Sequence, residues 1–428
     1  MTKGHLARSV SILGAAYTPM GDVTVTPEIK GLTEHEMFSL ASLEAMEDGH
    51  IEARDIDAYY VGMSGPNFYS KIKSAAPHFS DWVGMRGKPS VFHDEACATS
   101  AIGLQMAVAA VASGMYDCVL SGAVNINYTA PSMSYPPHIR GPLDEETRWK
   151  GIDTATDSAY EKPGTGGLGS IEAMLMEYCK KYGVSFSQIE EAVVAYMQNQ
   201  RKNALLNPKA VRIKESYEEE AKRFGFTDVK KYLLSNKYNP LMGAVVRGKY
   251  LGQIVDGASA VVVCATEKAR SYVKQPIEVA GIATATASYR SFVDFPHPAD
   301  VKMFGEAYAM ANIKDPYHEV NFMGIHDCPA TTLFNVSEAA GYIKPGEAWK
   351  YMIEGRVGFD GEKPITTDGG RTQLGHPLAP AWVIEVTEAV TQMRGKAGSR
   401  QIKTPPEVSA IWGAGSGTSL GVGVLRAI

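Results

Sequence analysis

No stretch of this 428-residue chain is apolar for the length of a membrane span, and neither sign of charge dominates: 42 Lys and Arg stand against 47 Asp and Glu, a net of -5. The near balance and a pI near 6.1 give no reason to expect nucleic acid or an anionic membrane as a partner. Cysteine is sparse: five residues, at 97, 118, 179, 264 and 328, odd in number and without a CxxC pair. That argues against a disulfide framework and against a structural zinc, and fits a reducing compartment. The N-terminal "MTKGHLARSVSILGAAY" lacks the long apolar core of a signal peptide, and the final "VLRAI" matches no peroxisomal or retention tail. The cytoplasm is the expected location.

What is present is the composition of a globular chain too long for one core, 45% hydrophobic and 21% charged. Short β-rich runs alternate with helical stretches closed by glycine. "SVSILGAAYTP", "IDAYYVGM", "PSVFHDEA" and "DCVLSGAVNI" read as strands, with helices over "EHEMFSLASLEAMEDG" and from about Ala98 to Ser113. This rhythm predicts an α/β protein with a mostly parallel sheet. It breaks between about 127 and 250, where a Pro- and Tyr-rich stretch, the Gly-rich "KPGTGGLGS" and charged helices suggest an inserted cap or loop domain. It resumes from "LGQIVDGASAVVVCATEKA" and repeats the order of the first part. The expected organisation is two similar α/β halves: 1–126 completed by 251–273, then 274–428, with 127–250 inserted into the first.

Three strand-to-helix turns carry reactive side chains. "DEACATSAIGLQMA" puts Cys97 at the start of an apolar helix, where unpaired N–H groups favour a thiolate and can hold an oxyanion. "IHDCPATTLFNVSEAAG" ends a strand at Ile325, presents His326, Asp327 and Cys328, and is expected to open a helix at Pro329. "GGRTQLGHPLAPAWVIEV" places His376 where a helix N-cap would stand. Taken singly, Cys97 reads as a buried structural thiol and His376 as a cap. Taken together, they fall at the carboxyl edge of a sheet, where ligands bind. Two thiols and two imidazoles there suit a nucleophile, a general base and an oxyanion site. A metal held by these residues is disfavoured, because His-x-Cys is not a usual zinc spacing.

These motifs resemble those of the thiolase superfamily, and within it the sterol-carrier-protein-2 type. "ACATSAIGLQMA" resembles the nucleophilic-cysteine motif and "VDGASAVVV" the DGA segment. "HDCPA" resembles the HDCF motif of this branch, "GGRTQLGHPLAPA" the GGxxxGHPxGATG block, and "NALLNPKA" a segment of the cap. The resemblance implies a five-layer αβαβα thiolase fold and assigns roles. Cys97 would carry the acyl group as a thioester. His376 would activate it and help stabilise the thioester oxyanion, and His326 would contribute to the same oxyanion site. Cys328 would be the acid/base acting on the α-carbon of the second acyl-CoA. Backbone N–H groups of Cys97 and Gly413 would serve as oxyanion donors. The second cysteine that most thiolases carry in a C-terminal CxG motif is replaced by Ile411 in "IWGAGSG". Pro329 replaces the Phe of HDCF, and "GHPLAPA" departs from the small residues of its block.

By that resemblance the chain would act on acyl-CoA thioesters, condensing them or cleaving a 3-ketoacyl-CoA, with coenzyme A as substrate and no further cofactor. Alternatives are transfer to an acceptor other than acyl-CoA, or a non-catalytic acyl-CoA-binding subunit. A homodimer or tetramer is implied, with a small OB-fold, zinc-ribbon protein as a possible partner. Basic residues of the insertion (Arg140, Arg148, Lys150, Arg201, Lys202, Lys209, Arg212) could meet CoA phosphates or water, and none is assigned.

Overall fold

The computed structural model of the chain describes residues 6–64, 74–127, 168–242, 245–287, 294–415 and 419–428. Arg140, Arg148, Lys150 and most of the Gly-rich segment lie outside them. The strands are β1 (Val10–Tyr17), β2 (Ala58–Gly62), β3 (Ser90–His93), β4 (Cys118–Asn125), β5 (Gly257–Ala265), β6 (Ile277–Thr286), β7 (Phe322–Ile325), β8 (Val408–Gly415) and β9 (Ser419–Ala427). The helices needed below are α1 (Glu34–Asp48), α2 (Thr99–Ala112), α3 (Leu168–Tyr182), α4 (Phe186–Leu205), α5 (Pro298–Met310), α6 (Thr332–Ala339) and α7 (Ala381–Met393).

The strands are hydrogen-bonded in the order β3-β2-β4-β5-β1-β6-β9-β8-β7. Only two residue pairs, Ser11–Glu278 and Ile12–Ile277, join β1 to β6, so this is two half-sheets meeting at a narrow seam. The sheet is mixed and not mostly parallel: β2–β3, β2–β4 and β7–β8 run parallel and the other pairings antiparallel. The cause on the β8–β9 side is plain, since a connection of three residues between Gly415 and Ser419 can only turn the chain back on itself.

Helices α2 and α7 are sandwiched between the half-sheets in one apolar cluster containing Leu104, Val108, Val261, Ile411, Trp382 and Val386. α1 covers the outer face of the first half-sheet through Met37, Phe38, Ala41 and Ala45. α5 and α6 cover the outer face of the second through Met303, Phe304, Leu333 and Phe334, joined there by α3 and α4. Helix, sheet, helix, sheet, helix is the expected five-layer arrangement.

The two halves repeat at the level of single residues. β1 has a bulge between Ile12 and Gly14, and β6 has one between Val279 and Gly281. A methyl group on Gly14 would lie 2.0 Å from the carbonyl oxygen of Ala45 in α1, and one on Gly281 would lie 2.2 Å from that of Ala307 in α5. In both halves the first outer helix rests directly on strand backbone, an approach that only glycine permits. α1 is also fixed at its start by a capping box between Thr33 and Glu36.

Candidate active site

Cys97 lies in a single 3-10 turn, Ala96–Ala98, between β3 and α2. The turn is held by Thr99, whose hydroxyl donates to the Ala96 carbonyl at 2.6 Å and accepts from the Glu95 N–H at 2.8 Å. Ala96 has a positive φ of 49°, a bend that lifts the chain before the helix begins. The end of β8 presses on this bend, since a methyl group on Gly415 would come within 2.3 Å of the Glu95 carbonyl.

His326 follows β7, with its N–H bonded to the Trp412 carbonyl of β8 at 3.1 Å. The helix expected to open at Pro329 begins at Thr332 instead. The intervening turn is held by Ala330 N–H on the Tyr250 carbonyl at 2.8 Å and by the Thr332 hydroxyl on the Pro329 carbonyl at 2.9 Å.

His376 is not a helix cap. It lies in an extended segment beside residues 253–255: its N–H donates to the Gln253 carbonyl at 2.7 Å, and its carbonyl accepts from the Val255 N–H at 3.3 Å. Helix α7 starts only at Ala381, with Pro380 as its cap. The turn between them tolerates Leu378 at a φ of 67° and ties the two central helices together. The Ala379 carbonyl accepts from the Ser100 N–H at 3.1 Å, and the Ser100 hydroxyl accepts from the Val383 N–H at 3.2 Å. The start of α2, carrying Cys97, is thereby docked against the turn that follows His376.

The Cys97 sulfur and one ring nitrogen each of His326 and His376 all lie within 4.8 Å of one another. The two imidazoles meet edge to face, ring centres 4.7 Å apart. Cys328 approaches His376 across Gly252: a methyl group there would be 2.7 Å from the Cys328 sulfur and 3.0 Å from His376 Nδ1. The Gly252 N–H donates to that sulfur at 3.3 Å. Gly252 is a part of the site that motif reading missed, because a lone glycine in "YLGQIV" carries no signal of what faces it.

Burial sets the charge state. It pushes the His376 imidazole down to about 3, helped by the Arg371 guanidinium. It holds His326 well below its ordinary value, with His376 and Arg371 adding to the effect. Burial also raises the Cys328 thiol to about 12, against the stabilising Gly252 N–H. The resting site therefore holds neutral imidazoles beside a protonated Cys328. His326 Nδ1 and both ring nitrogens of His376 have no hydrogen-bond partner among the described residues, which leaves them available to a reacting group.

Asp327, between His326 and Cys328 in sequence, faces away from them. Its carboxylate accepts from Tyr196 of α4 at 2.9 Å, from the Thr372 hydroxyl at 2.9 Å and from the Arg371 N–H at 2.5 Å. Burial raises it to about 7, opposed by Arg371. A methyl group on Gly370 would sit 2.3 Å from that carboxylate, which accounts for the glycine opening the π-helical turn Gly370–Leu374. Arg371, fully buried, is neutralised by Asp368 at 2.7 Å and Glu385 at 3.1 Å. Asp327 thus fastens the loop of His326 and Cys328 to the turn leading to His376 and to helix α4. Asn207 of "NALLNPKA" does similar work, donating to the Asp368 carbonyl at 2.9 Å and to the Tyr17 hydroxyl at 3.0 Å.

Gly413 lies inside β8 opposite Gly421, and a methyl group on it would meet Trp382 at 2.2 Å. The acid of "VDGASAVVV" is structural: Asp256 accepts from the Val23 N–H at 2.8 Å and the Asn127 N–H at 2.5 Å. Of the basic residues in the insertion, Arg201 pairs with Glu220, Lys202 with Asp360 and Lys209 with Glu44, and Arg212 reaches the Ile254 carbonyl. Cys97, His326 and His376 form a three-donor set for a soft metal, and no fourth His, Cys, Asp or Glu joins it among the described residues. No helix among those residues is long and apolar enough to cross a membrane.

Residues 283–424 match the family model for the thiolase C-terminal domain-like fold, and residues 47–135 that for the β-ketoacyl synthase N-terminal domain. An acetyl-CoA acetyltransferase of Methanothermobacter thermautotrophicus is 27% identical over 92% of this chain and 94% of its own. Along its length the chain is thus similar to thiolase-type proteins. Sterol carrier protein 2 of Bos taurus is 20% identical over 94% of this chain and 69% of its own length. Among solved structures, the Ltp2-ChsH2(DUF35) aldolase superposes with a TM-score of 0.73 at 19% identity, covering 99% of this chain and 98% of that one. Human mitochondrial 3-ketoacyl-CoA thiolase does so with a TM-score of 0.69 at 13% identity, over 99% and 100%. The fold is that of the thiolase structures.

Proposed function

We infer that the protein is a thiolase acting on acyl-CoA thioesters through an acyl group carried on Cys97. The observation that carries this reading is the convergence of the Cys97 sulfur with the nitrogens of His326 and His376 inside 4.8 Å, with Cys328 and His376 both close to Gly252. A neutral imidazole beside a thiol takes its proton as the sulfur attacks a thioester carbonyl, and CoA leaves as its thiol. The imidazoles then face the thioester oxygen. In thiolysis the Cys97 sulfur attacks the 3-keto carbonyl instead, and the C2–C3 bond breaks. Cys328 gives its proton to the α-carbon of the departing acyl-CoA, and a CoA thiol then takes the acyl group from Cys97. In condensation Cys328 first passes its own proton to a neutral imidazole and then takes the α-proton. The resulting carbanion attacks the acyl group on Cys97, whose sulfur leaves and recovers a proton from the imidazolium. Because burial keeps Cys328 protonated at rest, the protein enters the thiolysis cycle with this acid already loaded.

Coenzyme A is substrate in this scheme, and no further cofactor has a role. A homodimer or tetramer, and docking of a small OB-fold, zinc-ribbon protein, belong to the same proposal. Transfer to an acceptor other than acyl-CoA is the second reading. It is favoured by the bulky turn Leu378–Pro380 beside His376, where the family's block carries small residues.

Intact mass after incubation with acetyl-CoA, and separately with acetoacetyl-CoA, tests the scheme. An acetyl adduct in the wild type and none in Cys97→Ser is expected. A folded wild type that takes no adduct from these or from longer acyl-CoAs, with or without a partner protein, would overturn it.

A further inference from the structure

The first half-sheet holds a second pair of thiols that the proposed chemistry does not use. Cys118 opens β4 and Cys264 lies near the end of β5, directly opposite it in the antiparallel register. The Cys118 N–H donates to the Asp57 carboxylate at 3.0 Å, and its carbonyl accepts from the Asp57 N–H at 2.9 Å. Both of its backbone polar groups therefore face β2. The ladder bond to β5 is made by the neighbouring pair, Ala265 N–H to the Asp117 carbonyl at 2.9 Å. Cys118 and Cys264 are thus a non-hydrogen-bonded pair, the kind whose α-carbons come to about 4.5 Å and whose side chains approach most closely. A disulfide spans α-carbons about 4.4–6.8 Å apart, so the backbone already meets its requirement. The sulfurs are in contact at 2.7 Å, and the residues are 2% and 0% exposed.

We propose that Cys118 and Cys264 are a site of disulfide formation, a cross-strand bond that staples β4 to β5. The bond lies at the N-terminal end of β4, whereas Cys97 follows the C-terminal end of the co-directional β3. It would close a loop containing the entire segment between β4 and β5, helices α3 and α4 included. The oxidant is a low-molecular-weight disulfide. One protein thiolate attacks it, forms a mixed disulfide and releases one small thiol. The second thiolate attacks the protein-bound sulfur and releases the other. The two cysteines lose two protons and two electrons, and the small disulfide is reduced to two thiols. The hydrogen bond to Cys264 and burial hold the Cys118 thiol protonated in the folded chain. Because both residues are buried, a small disulfide reaches them while β4 and β5 pair or when they open, and the finished bond is shielded from reductant.

The full chain is refolded in a reduced and oxidised glutathione mixture and, in parallel, in dithiothreitol, then digested without reduction for mass spectrometry. A peptide joining Cys118 to Cys264, a mass lower by two hydrogens, and a Tm higher by about 3 °C than the dithiothreitol sample are expected. Cys264→Ala should show no such shift, and the wild-type peptide map stands whether or not that variant folds. Acyl loading of Cys97, read separately, should be the same in both preparations. Free alkylation of both residues in the oxidised sample, or glutathione retained on either one, would overturn the proposal.

Discussion

The two halves of the molecule start alike and finish differently. In each, the opening strand carries a bulge and a glycine pressed against the carbonyl of an outer helix, Gly14 on Ala45 and Gly281 on Ala307. In each, a buried central helix follows. Yet α2 begins in the turn that holds Cys97, whereas α7 begins five residues after His376, past a turn fixed by Pro380. The second half also contributes His326 and Cys328 from the end of β7. A repeated scaffold thus supplies one half of the site with a thiol and the other with imidazoles and a second thiol. Cys97 of the first half meets His326 and His376 of the second.

The largest expected effect tests that division of labour. Cys97→Ser should lower acyl transfer by ~10^4-fold with the circular dichroism spectrum unchanged, since the nucleophile has no substitute in the other half. His376→Ala, read by single-turnover acylation, should slow the first step by about 10^3-fold, the size of a lost general base. If acylation were unaffected, the first half would be self-sufficient and the comparison would fail. Next in size, Gly14→Ala and Gly281→Ala should each cost about 3 kcal/mol in denaturant titrations, because the added methyl overlaps backbone that side-chain rotation cannot move. Very unequal costs would show that the repeat is only one of outline.

The smallest expected effect concerns Asp327, which has no counterpart role in the first half. Its carboxyl, raised to about 7, is higher folded than unfolded, so its stabilisation is complete below about pH 4 and is lost as pH rises through 7. Between pH 5 and pH 7 this amounts to about 2 kcal/mol, to which Glu338, also raised to about 7 by burial, adds in the same direction. Asp327→Asn should remove the Asp327 share of that slope in urea titrations at the two pH values. An unchanged slope would mean that Asp327 is ionised throughout.

Much of this was legible from one chain. The strands and helices follow from apolar period and closing glycines, such as Gly49 after α1. The candidate residues Cys97, His326, Cys328 and His376 stood out as reactive side chains at strand ends. Less legible were features fixed by a partner far away in sequence. Pro329 looked like a helix start, but the Tyr250 carbonyl captures the Ala330 N–H and delays the helix to Thr332. His376 looked like a cap, but residues 253–255 draw it into an extended pairing. Gly252 carried no local mark of its proximity to Cys328.

The sequence by itself determined the elements, their order and the kinds of chemistry available, because periodicity, capping and side-chain type are local properties. Only the tertiary structure decided which groups meet. The docking of Ser100 on Ala379 brings Cys97 to the imidazoles, Asp327 joins three segments through its carboxylate, and antiparallel register places Cys118 against Cys264. The tertiary structure also decided the charge states of the imidazoles and of Cys328. Those depend on how completely water is excluded around them, which no single segment controls.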